Sequence, residues 1–387
     1  MLTKRQCEEE LKASMVDYFS SIEDPRVERT RAHPLASILS LSLCAILCGA
    51  ESFVAIEEFG ESREEWLRTF IDLPNGIPSH DTLGRVFSAL NPAALERAFR
   101  EWVSALATVT DGEVVAIDGK TLRRSFQRAG GAFVHMVSAW ATSNRVVLGQ
   151  VKTDDKSNEI TAIPKLLELL HVRGCLVTID AMGCQKAIVE KIVEAKADYL
   201  IAVKDNQAKL HAAIAAEFED RIPSLEKAQT LDFHETEETK HGRHELRRCW
   251  TLTDLSEIHQ RDDWKKLSTV VLVETERTLN DKTATHRRYY ISSVKNMTAR
   301  HALASARAHW GIENELHWVL DVAFREDDCR ARIKHSAENF AVLRHIAINL
   351  LRNVSGPKPK IGIFNRRLKC AWRPDFLLRV LGIAPQD

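Results

Sequence analysis

Two aspartates that follow apolar, strand-like runs are the first residues of this sequence that could do chemistry. Asp118 follows EVVAI and Asp180 follows CLVTI, so we expect each carboxylate to lie where a buried strand ends. Two carboxylates on neighbouring buried strands would repel each other, and a divalent metal ion is the usual way to relieve that repulsion. A single strand-end aspartate is more often a turn or cap residue, so it is the pair that favours a metal-dependent site.

A third group comes from the segment HWGIENELHWVLD. His309, Glu313, His317 and Asp321 recur at every fourth position, which places them on one polar stripe of a predicted helix. Two histidines around a glutamate can also indicate a zinc site, but their order differs from the H-E-x-x-H of zinc proteases. The acidic run 326–328 is a rival source of the third carboxylate, although such runs more often mark a solvated helix end. We therefore favour Glu313.

Basic residues flank both aspartates. Lys120 and Arg123 follow the first of them in IDGKTLRRS, and Lys204 follows the predicted strand YLIAV, so these cations are candidates for contacts with phosphate groups. The stretches HGRHELRR and HRRYY are further basic patches, which could follow a DNA backbone or be solvated hairpins. Asp154 and Asp155 could support the acidic pair, but a solvated turn before the next helix explains them more simply.

Composition excludes several classes of protein. The 387 residues include 44% hydrophobic and 28% charged side chains, which rules out a disordered, collagen-like or disulfide-stapled chain. Basic and acidic residues balance at 54 each, so any nucleic-acid surface must be local. No two of the 8 cysteines have C-x-x-C spacing, which argues against a cysteine zinc site. The N-terminus is too charged for a secretory signal and the uncharged run 35–50 is short for a bilayer, so we predict a cytoplasmic protein without membrane contact.

The predicted elements divide the chain into five regions. Residues 1–108 are predicted to be helical and could serve as a scaffold or as a DNA-binding or assembly module. In residues 109–220 three strands precede helix, strand, helix, strand and helix, which is a mixed α/β pattern in the order of the ribonuclease H-like fold. Residues 221–297 predict an inserted β-rich module with a smaller sheet of its own rather than a continuation of the first. The pattern predicts amphipathic helices again in 298–352 and a basic tail in 353–387, which could contact phosphates or be solvated.

Several motifs together resemble a known family. IDGKTLRRS, TIDAMGCQ, YLIAVKDNQ and HWGIENELHWVLDVAFRED are similar to the signatures of the DDE transposases of bacterial insertion sequences, in particular the H-repeat-associated proteins. The earlier segments SIEDPRVERTRAHPLASILSL and GIPSHDTLGRVFSAL also resemble the helical region that precedes the catalytic domain in that group. The resemblance covers nearly the whole chain, and it implies a ribonuclease H-like catalytic core with a β-rich insertion.

The resemblance implies a catalytic and metal-binding triad of Asp118, Asp180 and Glu313. In the family such a centre holds two Mg²⁺ ions, which Mn²⁺ can replace, and hydrolyses a phosphodiester at the transposon end. The freed 3′-hydroxyl then attacks target DNA. The partners implied are double-stranded DNA, as terminal inverted repeats and as target, and at least a second copy of the chain, because two DNA ends must be brought together. The expected location is the cytoplasm, at the nucleoid.

One departure from a broader related group bears on the DNA contacts. That group carries Tyr, Arg, Glu and Lys at fixed spacing, whereas this sequence has Ala306, His309, Glu313 and Leu320 at those positions. His309 could replace the arginine as a phosphate contact, but Leu320 cannot replace the lysine. Two alternatives stay open: a domesticated or decayed relative that binds DNA without moving an element, and a ribonuclease H-like nuclease that cuts without joining.

Overall fold

The N-terminal region is helical, as predicted. The computed structural model describes residues 15–106, 111–123, 125, 133–153, 159–240, 242–280, 282–354 and 361–383, so Asp154 and Asp155 lie outside the described residues. The first helices are α1 Met15–Phe19, α2 Leu35–Leu47, α3 Phe53–Ser62, α4 Glu64–Leu67, α5 His80–Ala89 and α6 Pro92–Leu106. Ser52 and Ser79 cap α3 and α5, because their side-chain oxygens accept hydrogen bonds from backbone N–H groups in the first turn.

Helix α2 is the buried centre of this bundle. Its Ser40 and Ser42 hydroxyls donate to the carbonyls of Ala36 and Ile38, so they are satisfied inside the helix. Within the described part of the chain, Glu28–Leu47 is the one stretch long and apolar enough to cross a membrane. However, 67% of its apolar window is buried inside the fold, as expected for a helix of the protein core.

The strands build a mixed α/β core. They are β1 Val114–Leu122, β2 Val134–Ala141, β3 Val146–Lys152, β4 Leu176–Ile179, β5 Asp198–Val203, β6 Asp232–Lys240, β7 Arg243–Leu252, β8 Thr269–Leu279 and β9 Lys282–Ser292. The described strands form one sheet in the order β3-β2-β1-β4-β5-β9-β8-β7-β6, with β1, β4 and β5 parallel and β2 and β3 antiparallel. Helices α7 Glu159–Leu169, α8 Lys186–Glu194 and α9 Ala208–Arg221 follow β3, β4 and β5. The predicted succession of three strands and then alternating helices and strands is confirmed.

The β-rich stretch is present, but it continues the main sheet instead of forming a smaller one. After the short helix α10 Leu225–Ala228, strands β6 to β9 form a meander whose last member pairs antiparallel with β5, Leu200 opposite Ser292. Without β9, strand β5 would expose a row of unpaired backbone groups at an edge. The sequence interpretation failed because the outer halves of these strands are polar and exposed, whereas their inner ends, such as Val270 and Ile291, are buried.

The last helices join the helical bundle to the sheet. They are α11 Ala299–His309, the π-helical turn Ile312–His317, α12 Trp318–Phe324, α13 Ser336–Asn353, α14 Ile363–Trp372 and α15 Pro374–Leu381. On the buried helix α13, the Asn339 amide donates to the carbonyls of Phe87 and Leu90, each at 2.9 Å. Ten residues further along, the Asn349 amide donates to the Val147 carbonyl at 2.9 Å. Helix α13 therefore fixes the N-terminal bundle against β3.

The C-terminal segment is folded over its described part, which corrects the prediction of a basic tail. Helix α15 buries Leu377 and Leu381 against the bundle. The Arg367 guanidinium on α14 is also buried, where it donates to the Ile46 carbonyl at 2.7 Å and lies 4.2 Å from the centroid of the Phe324 ring. The apolar positions of FLLRVL form a helical stripe that the count of basic residues concealed. Lys358 and Lys360 lie outside the described residues.

Candidate active site

Asp118 lies in the middle of β1 rather than at its end. The strand continues beyond it because β1 pairs with β2 along its length, Asp118 opposite Ser138, which corrects the predicted strand-end position. The Asp118 side chain is only 18% exposed. Burial, together with the negative charges of Glu159, Asp180 and Glu313, raises its pKa to about 7. The carboxyl group is thus poised to lose its proton when positive charge approaches.

Asp180 directly follows β4, as predicted. Strands β1 and β4 are parallel and pair Ile117 with Ile179, so the two aspartates occupy corresponding positions on adjacent strands. The Asp180 carboxylate also caps a short helical turn, accepting a hydrogen bond from the Met182 backbone N–H at 2.9 Å. Burial and the nearby Glu159 raise the pKa of Asp180.

Glu313 lies in the π-helical turn between α11 and α12. The sequence predicts a continuous α-helix here, but one wide turn, Ile312–His317, interrupts it. Ile312 and Leu316 are buried by this turn while Glu313 stays exposed to the adjoining groove. Partial burial and Asp180 raise the pKa of Glu313, and the Arg288 guanidinium opposes that shift. Single π turns of this kind are frequent at functional sites.

A fourth carboxylate, Glu159, belongs to this acidic group and was missed at the sequence level. It begins α7, and its Oε1 lies 2.8 Å from Nε2 of His135 on β2. A Cβ at Gly119 would clash with both of these groups, so the glycine beside Asp118 leaves room for them. The available signal was the glutamate that opens a helix just after the third strand, together with the glycine that follows Asp118.

The histidines of the predicted polar stripe point to different partners. His309 is half-buried, and its Nδ1 lies 3.1 Å from the Thr178 hydroxyl oxygen. The Nδ1 of His317 lies 3.6 Å from an Asp118 carboxylate oxygen. Burial lowers the pKa of His309 to about 4 and that of His317 to about 3, so both imidazoles are neutral at pH 7. Because the two rings lie beside different residues, Thr178 and Asp118, they do not form a common zinc site in this arrangement.

The donor set fits a hard divalent cation. Asp118, Asp180 and Glu313 are carboxylates from three elements, which raise rather than lower one another's pKa. Among the described residues, no three His, Cys, Asp or Glu side chains already converge closely enough to hold a metal ion. The neutral His317 supplies no charge to offset Asp118. A bound cation would supply the positive charge that offsets Asp118 and would draw the carboxylates together.

Two of the predicted phosphate contacts are turned toward protein groups. The Lys120 Nζ lies 2.6 Å from Asp321 and 2.9 Å from Glu326, and only 11% of its side chain is exposed. The neutral His309 likewise has no charge to offer a phosphate. By contrast, 80% of the Arg123 side chain is exposed, although it pairs with Asp327, and Lys204 is exposed beside Asp180.

The rival acidic run is already paired with cations. Glu326 is buried between Lys120 and Arg344, at 2.9 Å and 3.7 Å. Asp328 lies 3.2 Å from the Arg325 guanidinium. Glu326 and Asp328 thus take part in direct ion pairs within the protein. Glu313 is instead coupled to Asp180 and exposed to the adjoining groove, which favours Glu313 as the third member of the acidic group.

Comparison with known proteins decides the family. A family model described as "Transposase DDE domain" matches residues 110–350, and one described as "DDE_Tnp_1-associated" matches residues 16–103. The chain belongs to the DDE transposase family. "Putative transposase YncI" of Escherichia coli O157:H7 is 45% identical to this chain over 374 residues, which is 95% of the chain and 94% of YncI. The "H repeat-associated putative transposase YhhI" of E. coli strain K12 is 41% identical over 376 residues, 95% of this chain and 97% of YhhI.

The H-repeat-associated resemblance is therefore confirmed for this DDE transposase. Among solved structures, a piggyBac transposase synaptic complex with hairpin DNA is a distant neighbour. Its TM-score is 0.43 and its sequence identity 9%, over 97% of this chain and 80% of that chain.

Proposed function

We propose that this protein cuts the ends of an insertion sequence and joins the freed 3′-hydroxyl to target DNA, with Asp118, Asp180 and Glu313 as the catalytic triad. The observation that supports this proposal most strongly is the placement of the two aspartates at corresponding positions of adjacent parallel strands. The electrostatic coupling of both to Glu313 adds to it. One acidic centre would serve both steps, so no protein nucleophile is needed.

Mg²⁺ is the cofactor that this donor set suits. Mg²⁺ prefers oxygen ligands and keeps several waters, and Mn²⁺ takes the same carboxylate ligands. When bound, two such ions would activate the attacking hydroxyl and offset charge on the attacked phosphate and leaving oxygen. The chain's own contribution is to hold three carboxylates on rigid elements: β1, the end of β4 and the π turn.

The partners in this proposal are the inverted repeats of the element, the target DNA and a second copy of the chain. Arg123 and Lys204 flank the acidic group with exposed cationic side chains and are the proposed phosphate contacts close to it. Lys120 and His309 are not included, because their side chains are engaged within the protein. Because these substrates are DNA, the proposed place of action is the cytoplasm, at the nucleoid.

The test is cleavage and joining of labelled DNA that carries the genomic sequence flanking the coding region. We expect nicking at the repeat ends with Mg²⁺ or Mn²⁺, followed by joining, and loss of both in Asp118→Asn. Thermal unfolding of the variant serves as the folding control. Cutting without joining would indicate a nuclease instead, and specific binding without cutting would indicate a domesticated relative.

A further inference from the structure

Five arginines line a groove beside Glu313. It has a volume of about 430 Å³ and lies between one face of β7 to β9 and helix α11. Its guanidinium groups are those of Arg243, Arg247, Arg277, Arg288 and Arg307. Because Glu313 lines the same groove, any strand bound there would lie next to the acidic group.

Positive charge exceeds negative charge in this groove. Arg243 and Arg277 share the Glu245 carboxylate, at 2.8 Å and 2.9 Å. Arg247 and Arg307 share Glu238 in the same way, at 3.3 Å and 3.0 Å. Two carboxylates thus hold four guanidinium groups in place without neutralising all of their charge. The remaining positive charge is available to bind an anion.

Arg288 is held differently. Its guanidinium carbon lies 4.7 Å from the centroid of the Trp310 ring, so the cation rests on an aromatic face, and its positive charge acts on the Glu313 carboxylate. Trp310 is three residues before Glu313 in the chain and lines the same groove. Arg288 is therefore placed to contact a phosphate close to the one that reacts.

The opposite face of the same strands is balanced in charge. Arg248, Glu274 and Arg287 are cross-strand neighbours in one row. Both arginines pair with Glu274, at 3.1 Å and 2.8 Å, and Arg248 also pairs with Glu235 at 3.0 Å. Since side chains alternate between the faces of a strand, adjacent arginines on β7 and β9 point to opposite faces.

We propose that this arginine groove binds the phosphodiester backbone of one DNA strand and leads it to Glu313, whereas the opposite face does not bind DNA. The proposal deepens the function proposed above and rests on it for the identity of the polyanion. Guanidinium forks suit phosphate oxygens, and a fixed row of them matches the repeating charge of a nucleic-acid strand.

The adjacent arginines on β7 and β9 provide the test. Replacing either member of a pair removes the same charge, but from opposite faces of the sheet. Binding of a fluorescein-labelled DNA of the flanking sequence, single-stranded and duplex, would be measured in EDTA over a range of salt concentrations. We expect Arg288→Gln and Arg247→Gln to weaken binding by about tenfold each and to lower the salt slope by about one. Arg287→Gln and Arg248→Gln should change affinity by less than about twofold.

Equal losses of DNA affinity for variants on the two faces, or no loss for variants on the groove face, would overturn the proposal. The readout is binding without metal, so it is separate from the test of catalysis. If the wild-type protein nicks DNA while the groove variants bind normally, the groove proposal fails and the transposase proposal stands. If the groove variants lose DNA binding but the wild-type protein never cuts, the groove proposal stands and the transposase proposal fails.

Discussion

Lys120 and Glu326 form an ion pair at 2.9 Å that joins β1 to the segment after α12. Glu326 is 2% exposed and Lys120 11%, so the pair is shielded from water. Lys120 follows Asp118 by two residues on the same face of β1, and α12 follows directly on the turn that bears Glu313. The pair therefore holds together the two elements that carry the first and third acidic residues.

Removing Lys120 should destabilise the protein. Lys120→Met leaves Glu326 buried without its closest cation, and we expect the free energy of unfolding to fall by roughly 3–5 kcal/mol. Arg123→Met is the matched control, since its exposed pair with Asp327 contributes under about 1 kcal/mol. Urea denaturation measures both. A Lys120→Met protein of unchanged stability but weaker DNA binding would show that Lys120 contacts phosphate instead.

Glu159 should support metal binding. Its negative charge lies close to Asp118 and Asp180, so Glu159→Gln weakens the attraction of the acidic group for a cation. We expect the Mg²⁺ concentration for half-maximal nicking to rise roughly tenfold. Glu168→Gln, an exposed change near the other end of α7, is the control and should leave that concentration unchanged. An unaltered Mg²⁺ requirement in Glu159→Gln would remove Glu159 from the site.

His345 should make stability depend on pH. Burial lowers its pKa to about 4, with Lys120 and Arg344 acting in the same direction and Glu326 against it. A histidine whose pKa is lowered by folding stabilises the protein above about pH 6.5, and that contribution is lost as the pH falls toward 4. The free energy of unfolding should therefore decrease by up to about 1.4 kcal/mol per pH unit across this range from His345. His345→Gln should have a flatter dependence in urea denaturation, and an identical slope in the two proteins would refute the assignment.

Arg367 should anchor the C-terminal helices. Arg367→Met removes the hydrogen bonds to the Ile46 carbonyl and the stacking on Phe324, so we expect a loss of roughly 2–3 kcal/mol in stability. Arg373→Met, which removes an exposed pair with Asp375, should cost under about 1 kcal/mol. If thermal unfolding is the same for both variants, the segment is not an integral part of the fold.

Local patterns were sufficient to predict most of the core. Alternating apolar runs predicted β1 to β5 and the helices among them, and the buried strand ahead of Asp180 predicted its position. The predicted end of β1 was wrong, because pairing with β2 keeps Asp118 and Gly119 in the strand despite their low strand propensity.

Contacts between distant segments were beyond the reach of such patterns. The pairing of β9 with β5 joins residues far apart in the chain, so the polar strands looked like a separate sheet. The π turn is one wide turn inside a regular amphipathic sequence, and no residue in it breaks a helix. Glu159 and the partners of Lys120 became visible only once β1, α7 and the helices after residue 298 were packed together.

The most direct test compares two glutamates of the same π turn. Glu313→Gln removes a proposed triad member, whereas Glu315→Gln removes a carboxylate that pairs with Arg145 at 2.6 Å. Nicking of labelled repeat-end DNA would be measured for both at saturating Mn²⁺, with DNA binding and thermal unfolding as controls. The proposed triad predicts no detectable nicking by Glu313→Gln and near wild-type nicking by Glu315→Gln. Retained nicking in a folded, DNA-binding Glu313→Gln protein would contradict it.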